Sequence, residues 1–270
     1  MAIGPRDPHE LPAGEVIRLA ARAYERDRYL AALLSPRAVR DDLIVIAAFA
    51  GEVARIPASV SEPMMGEIRL QWWRDALALE TPSGHDATPS GHPVADAMRD
   101  LIERHDLDTT ALNGLLDATA RMLEDRPHRT ERRLSATLVA IEGALFGAAM
   151  RVCAGRSPTA AEAAATMFAG EAYGLARVLV EAPILAGEGR SLLPGDDIVA
   201  PTERARSCLA EVRSGWRNLS RGVQCALLPV ALVEPYLRLS KALDGERRAP
   251  DILPLARVWR LMAARGLGRI

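Results

Sequence analysis

The amino-acid sequence predicts an all-α protein, and three features of it support this fold class. Aromatic residues make up only 4% of the 270 residues, whereas alanine occupies about one position in six. This composition favours helices over sheets, because alanine is the best helix former and aromatic residues prefer strands. Apolar residues recur every three or four positions along most of the chain. No segment of convincing length alternates apolar and polar residues as a half-buried strand would.

Each helix is predicted from an apolar stripe and from the residues that begin or end it. In the first helix, Leu19 and Ala23 share one face. Ser35-Pro36 is typical of a helix start, and Pro57 ends the helix that follows. The predicted helices cover approximately residues 13–34, 36–56, 63–79, 93–105, 109–124, 131–153, 159–186, 202–219, 224–243 and 251–264.

Charge, hydropathy and organisation exclude several classes of protein. The 34 basic and 35 acidic residues leave a net charge of −1, which argues against a general nucleic-acid-binding protein. A hydrophobic content of 49% excludes a mostly disordered chain. We find no domain-sized linker and no long internal repeat, so residues 1–270 are interpreted as one domain. Its helices are expected to surround a central core or cavity.

Cellular location is inferred from three sequence features. The three cysteines form no CxxC pair, which suits a reducing compartment. No run of 18 uninterrupted apolar residues predicts a membrane span, and the first residues lack the apolar region of a secretory signal. We therefore expect a cytoplasmic location.

A short tandem repeat, TPSGH, occurs twice in residues 81–93. Its turn-forming residues predict a flexible surface loop, either a mobile lid over a cavity or a tolerated insertion, and we favour the insertion. His85 and His92 belong to this repeat and are weak metal candidates, since no other ligand lies nearby in sequence. Residues 124–133 mix both charges and predict a solvated connection with His128 at the surface.

Four glycines lie inside helical patterns, where each destabilises a helix by about 1 kcal/mol relative to alanine. Such positions usually mark a close approach of two helices, which we expect at Gly143, Gly147, Gly170 and Gly174.

The chain resembles the squalene/phytoene synthase family of head-to-head prenyl transferases over approximately residues 15–240. The segments that carry the resemblance are YLAALLSPRAVRDDLIVIAAFAGEV, GEIRLQWWRDAL, HPVADAMRDLIERHDL and YGLARVLVEAPILAGEGRSLLPGDDI. The resemblance implies the isoprenoid-synthase type of fold, in which two allylic diphosphates bind in a helical cavity. Magnesium ions there bridge the diphosphates to two aspartate-rich motifs on facing helices.

The sequence departs from the family pattern at these motifs. The positions expected to carry the first aspartates are Ala54, Arg55 and Ala58. Those expected to carry the second pair are Glu181 and Leu185. One carboxylate remains, so Glu181 is a weak metal candidate and no cofactor is expected. Magnesium is expected only if the chain is still a transferase.

The cavity implied by the resemblance has two interpretations. Its candidate residues are Glu52, Arg55, Arg74, Arg177, Glu181 and Arg190. The four arginines would form a cationic region that binds phosphate or carboxylate without metal. Alternatively, Arg55 pairs with Glu52 and Arg177 with Glu181, which closes the former site. We favour the paired arrangement, because buried arginines without partners are strongly destabilising.

One segment is similar to a degenerate subgroup of this superfamily, which includes the mitochondrial complex I assembly factor. The matching text is SVSE leading into IRLQWW. This resemblance implies a non-catalytic protein that acts in the assembly of a membrane respiratory complex, or that binds an isoprenoid-like ligand. Its partners would then be a subunit of that complex, a prenyl diphosphate or an isoprenoid. The location would be the cytoplasmic side of the inner membrane.

The alternative function is an active Mg²⁺-dependent transferase that condenses two prenyl diphosphates to a squalene- or phytoene-type product. It would need an unusual set of metal ligands, Glu52, Glu181 and Glu67. These carboxylates would have to converge within the reach of one metal site.

Residues 251–270 predict a basic amphipathic helix. Leu255, Val258, Trp259 and Met262 form its apolar stripe, and Arg257, Arg260 and Arg265 lie elsewhere. Such a helix either lies on an anionic membrane or packs on the domain as its last helix. Both arrangements remain open from the sequence.

Overall fold

The computed structural model describes residues 11–78, 89–124, 128–241, 251–268 and 270. Within these ranges the chain is helical and contains no strand, so the predicted fold class is confirmed. The α-helices are α1 (Ala13–Tyr24), α2 (Arg26–Leu33), α3 (Arg37–Ala54), α4 (Pro63–Leu77), α5 (Pro93–His105), α6 (Thr109–Arg121), α7 (Glu131–Leu138), α8 (Ala144–Ala154), α9 (Ala160–Gly187), α10 (Val199–Gly215), α11 (Arg221–Ala226), α12 (Val233–Lys241) and α13 (Pro254–Leu267). A π-helical turn, Val139–Gly143, joins α7 to α8.

Two helices, α3 and α9, form the centre of the molecule. Every residue from 46 to 51 in α3, and every residue from 169 to 176 in α9, is buried. A helix buried on all sides needs an apolar or small side chain at nearly every position, which explains the alanine-rich sequences of both. The charged exception in α9 is Glu171, which is bonded to Arg204 of α10 at 2.6 and 2.7 Å.

The first predicted helix, 13–34, is broken in the structure. Glu25 adopts a non-helical conformation, with φ −132° and ψ 59°, and separates α1 from α2. The break turns Glu25, Asp27 and Arg28 into the interior, where all three are buried. A second predicted helix, 224–243, also divides, because a 3-10 turn at Leu228–Leu232 separates α11 from α12.

Helix α7, the π turn and α8 form one continuous helix from Glu131 to Ala154. This helix is long and apolar enough to cross a membrane. The sequence predicted no membrane span, because Glu142 interrupts the apolar residues of this stretch. In the structure Leu134 and Phe146 are fully buried against neighbouring helices. Packing inside the domain therefore accounts for the apolar composition of this helix.

Glycines allow α9 to contact the π turn closely. A Cβ atom on Gly170 would lie 2.6 Å from the backbone nitrogen of Gly143, and one on Gly174 would lie 3.0 Å from Leu138 Cβ. The expected close approach is therefore present at these positions. It is absent at Gly147, where a Cβ atom would meet nothing within 4 Å.

Much of the 81–93 segment, including His85, lies outside the described residues. His92 is described, and its ring accepts a hydrogen bond from the backbone of Ala95, at 3.4 Å, at the start of α5. The ring also contacts Trp72 and Trp73 edge-on, with centroids 5.4 Å apart. His92 therefore has a structural role.

Two other expectations for the surface need correction. His128 is buried, and burial next to Arg121 and Arg133 lowers the pKa of His128 to about 4. Helix α13 packs on the domain, as one alternative proposed, but through Arg257, Leu261 and Ala264. Most of its predicted apolar stripe faces outward, since Leu255, Trp259 and Met262 are exposed and Val258 is half-buried. Arg257 faces inward and pairs with the buried carboxylate of Asp27.

Substituting Gly170 tests the close contact between α9 and the π turn. We expect Gly170→Ala to destabilise the protein by about 1–3 kcal/mol, because the new methyl group overlaps rigid backbone. The matched control is Gly147→Ala, which should stabilise by about 0.5–1 kcal/mol, because its methyl group enters open space. Urea denaturation of both variants measures the difference, and equal effects would contradict the packing.

Candidate functional site

A cavity of about 180 Å³ lies between α3, α6, the π turn and α9. Its walls are mainly apolar, and four of its five charged groups interact with one another. The apolar walls include Ala50, Val53, Ala54, Leu115, Leu138, Ile141, Leu145, Val178 and Leu185. The charged groups are Glu25, Glu142, Arg177, Glu181 and Arg190.

The positions at which the family resemblance expects aspartates do reach this cavity. Ala54, Ala58 and Leu185 line it, so the wall carries small or apolar groups where metal-binding carboxylates were expected. Arg55 does not line it. Arg55 pairs with Glu52 at 3.5 Å, and its guanidinium lies 4.6 Å from the centre of the Tyr24 ring.

Arg177 is neutralised by residues from other helices. Its Nη1 atom donates to Glu25 Oε1 at 2.6 Å and lies 3.8 Å from Glu142 Oε1. The predicted partner within the same helix was Glu181, but Arg177 forms its ion pairs with Glu25 and Glu142. The break before α2 explains the difference, because it brings Glu25 directly opposite α9.

Arg28 completes this buried cluster. It donates to Glu25 Oε2 at 2.9 Å and to Glu142 Oε2, so each arginine contacts both glutamates. The Arg28 guanidinium also lies 5.0 Å from the Phe146 ring and 5.1 Å from the Tyr173 ring. Burial alone lowers the pKa of Arg28, but the two glutamates outweigh it and raise the pKa. Burial likewise raises the pKa of Glu25, and Arg177 and Arg28 outweigh it, so that pKa is lowered.

A second cavity, of about 280 Å³ and more polar, adjoins the first. At its floor Asp27 accepts hydrogen bonds from Tyr173, at 2.8 Å, and from Tyr236, at 2.6 Å. Arg257 of α13 lies 2.7 Å from the same carboxylate. Glu25, Arg177 and Glu181 line both cavities, so the Glu25–Arg177 pair forms part of the wall between them.

Glu181 lines both cavities, so its surface is accessible to solvent inside them, although protein atoms of the cavity walls surround its carboxylate. Burial raises the pKa of Glu181; Arg177 opposes this effect, and the carboxylates of Glu25 and Glu142 add to it. The helix that carries it runs through Pro183 to Gly187, close to the predicted end at residue 186.

The structure divides the six candidate residues into three groups. Arg177, Glu181 and Arg190 line the main cavity, and Arg190 donates to the backbone oxygen of Met122 at 3.1 Å. Glu52 and Arg55 pair with each other outside it. Arg74 borders a different cavity and donates to Asp117 at 2.7 Å.

Sequence analysis missed five buried charged residues, Glu25, Asp27, Arg28, Glu142 and Arg257. One signal was present, since Glu142 interrupts the apolar run LVAIEGALF. A charge inside such a run is strongly destabilising unless it finds a buried partner. The partners could not be identified from the sequence, because Glu142 and Arg28 are 114 residues apart.

The donor set of the cavity does not fit a magnesium cluster. Of its three carboxylates, Glu25 and Glu142 are bound by Arg28 and Arg177. Within the described residues, no group of three or more metal-ligating side chains is assembled. Glu52 and Glu67 are not among the lining residues, so the ligand set that the transferase alternative needs, with Glu181, is not brought together.

Comparison with known proteins identifies the family. The model of the squalene/phytoene synthase family matches residues 21–201, which is more than half of the chain. The chain belongs to the squalene/phytoene synthase family. Solved structures share the fold of this member. Squalene synthase HpnC from Alicyclobacillus acidocaldarius has a TM-score of 0.65 at 16% identity, covering 85% of this chain and 93% of that one. A dehydrosqualene synthase in complex with ligand has a TM-score of 0.71 at 12% identity, covering 94% and 96%.

Other relatives of this family member are named as assembly factors and not as synthases. The protein called NADH dehydrogenase (ubiquinone) complex I, assembly factor 6 from Rattus norvegicus is 28% identical over 86% of this chain. That from Bos taurus is 28% identical over 88% of this chain and 78% of its own length. The match spans 65% of the rat protein.

The environment of Glu181 predicts how its removal changes stability with pH. Its carboxyl group has a raised pKa in the folded state, so the unfolded chain ionises first as pH rises through about 4.5. Ionised Glu181 therefore lowers stability at neutral pH. We expect Glu181→Gln to raise the urea midpoint at pH 7 and to have no such effect below about pH 4.

Glu162 provides the opposite control on the same helix. Hydrogen bonds from Arg156 and from the backbone of Thr159 lower the pKa of Glu162 to about 2. Its stabilising effect is present above the unfolded value and is lost as pH falls toward 2. Glu162→Gln should therefore lower the midpoint at pH 7. The same direction of change for both variants would contradict the electrostatic description of the cavity.

Proposed function

We propose that this protein is a non-catalytic member of its family that acts in the assembly of a respiratory NADH dehydrogenase complex. The observation that carries the proposal is the cavity wall at Ala54, Ala58 and Leu185, where apolar groups stand in place of metal-binding carboxylates. Prenyl transfer in this family needs a cluster of metal ions to hold two diphosphates, and this wall offers no ligands for one.

The charge balance of the cavity supports the proposal. A diphosphate entering here would meet the carboxylates of Glu25, Glu142 and Glu181. Arg177, which faces the same space, is already paired with Glu25 at 2.6 Å. Without a bridging metal, the carboxylates repel the phosphate groups, and the arginine would have to break a buried pair to bind them.

The names of the relatives support the assembly role. Proteins called complex I assembly factor 6 are 26–28% identical to this chain over 66–88% of its length. By analogy, its partner is a subunit of the membrane-bound respiratory complex. Its place of action is the cytoplasmic side of the inner membrane, where that subunit is accessible before assembly is complete.

A second candidate function is the binding of an isoprenoid-like ligand without chemistry. The apolar walls of the main cavity, formed by residues such as Val53, Leu115 and Leu138, favour it. Such a ligand would occupy the apolar side and leave the Glu25–Arg177 pair intact. It would thus bind through its hydrocarbon part and independently of magnesium.

Calorimetric titration with farnesyl diphosphate tests whether metal chemistry remains. We expect no binding that requires Mg²⁺, and no condensed product at a rate near the 1 s⁻¹ typical of enzymes. Product analysis of the same mixture measures the second point. Mg²⁺-dependent binding together with a condensed product would restore the transferase alternative and overturn the proposal.

A deletion strain of the source organism tests the assembly role. We expect loss of assembled NADH dehydrogenase complex and of its rotenone-sensitive NADH oxidation, with rescue by the wild-type gene. Because the proposal gives Glu181 no metal to bind, Glu181→Gln should rescue to the same extent. Normal levels of the complex in the deletion strain would contradict the proposal, as would failure of a stably folded Glu181→Gln variant to rescue.

A further inference from the structure

Helix α13 buries an arginine on its inner face and exposes large apolar side chains on its outer face. Arg257, Leu261 and Ala264 face the domain and are at most 2% exposed. On the opposite face, Leu255 is 85% exposed, Trp259 72% and Met262 49%. Both sets have i, i+4, i+7 spacing, so each forms one continuous stripe along the helix. The outer stripe is named the α13 apolar face below.

Buried ion pairs hold the helix in this orientation. Arg257 lies 2.7 Å from Asp27 and donates to Tyr236 at 3.2 Å and to Asp251. Rotating α13 to bury Trp259 would expose this arginine and leave Asp27 without its cation. An uncompensated buried charge is strongly destabilising, so the apolar face stays outside.

The charges around this face are positive and lie at its flanks. Helix α13 contains three arginines and no acidic residue. Arg260 donates to the backbone oxygen of Ala231, at 3.1 Å, and Arg265 to that of Leu34, at 3.4 Å. Within the described part of the chain these two arginines form no ion pair, so their charges are not neutralised. Asp251, just before the helix, is bound to Arg257 and lies 3.4 Å from Arg26.

We propose that the α13 apolar face docks on an anionic lipid bilayer. Tryptophan, leucine and methionine flanked by arginine are the side chains that helices use to lie in the headgroup region. The un-neutralised arginines complement anionic headgroups, whereas an acidic flank would repel them. The three exposed side chains form one stripe along the helix, so all three reach the bilayer together.

This inference extends the proposed function, which supplies only the choice of lipid mixture. The test uses the full chain with vesicles of phosphatidylethanolamine and phosphatidylglycerol, and with neutral phosphatidylcholine vesicles for comparison. We expect cosedimentation with the anionic vesicles, reduced several-fold when NaCl is raised from about 0.05 M to about 0.5 M. A blue shift of tryptophan fluorescence should accompany binding and be lost in Trp259→Phe, which keeps an apolar ring.

Two double variants locate the contact. Leu255→Ser with Trp259→Ser should weaken vesicle binding by about tenfold or more, because two apolar side chains no longer leave water. The matched control is Met64→Ser with Ile68→Ser on α4, whose side chains are 66% and 55% exposed. It should bind vesicles as the wild type does. All four side chains are exposed, so both variants should unfold at the wild-type temperature.

Three results would overturn the inference. The first is absence of vesicle binding by the wild type, and the second is equal loss of binding in the α4 control. The third is a wild-type dimer in sedimentation velocity that becomes a monomer in the Leu255→Ser, Trp259→Ser double variant. The α13 apolar face would then be an interface between two copies of the chain. None of these results depends on the assay of respiratory complex assembly, so the failure of either proposal is recognised separately.

Discussion

The buried pairing of Glu25, Arg28, Glu142 and Arg177 is the interaction on which the rest of the structure depends. It joins α2, the π turn and α9 at the centre of the molecule, and each arginine contacts both glutamates. Breaking such a buried pair from one side is destabilising by about 3–5 kcal/mol, because it leaves an unpaired charge in the core. Asp27 continues the arrangement to Tyr173, Tyr236 and Arg257, so the same short segment also fixes α12 and α13.

The part of the fold that depends on local pattern could be predicted from the sequence, and the part that depends on distant charges could not. Apolar periodicity and start signals such as Ser35-Pro36 predicted most helices to within a few residues, and the family resemblance predicted the cavity and its apolar positions. The break at Glu25 was missed because its cause lies 152 residues away in Arg177. Arg257 was placed away from the apolar stripe of its helix, and its burial was missed because its partner Asp27 cannot be recognised by spacing.

Under the proposed function, the cavity combines missing metal ligands with an interior whose charges are paired. A carboxylate cluster without magnesium would be a set of like charges in a confined space, and an arginine without diphosphate would be an unpaired cation. Here alanine and leucine occupy positions where metal-binding carboxylates were expected, and Glu25 neutralises Arg177. Of the three carboxylates at the cavity, Glu181 is the one with a raised pKa, because burial and the charges of Glu25 and Glu142 disfavour its ionised form.

The same internal pairing also determines the outer surface. In an ordinary surface helix, apolar residues are buried by the hydrophobic effect and the charges face water. In α13 the ion pair with Asp27 outweighs that preference, so Arg257 is inside and Trp259 is outside. A surface of this kind is stable only while the core charges remain paired. Neutralising Asp27 would therefore remove the reason for the orientation of α13, and its apolar face would be free to turn inward.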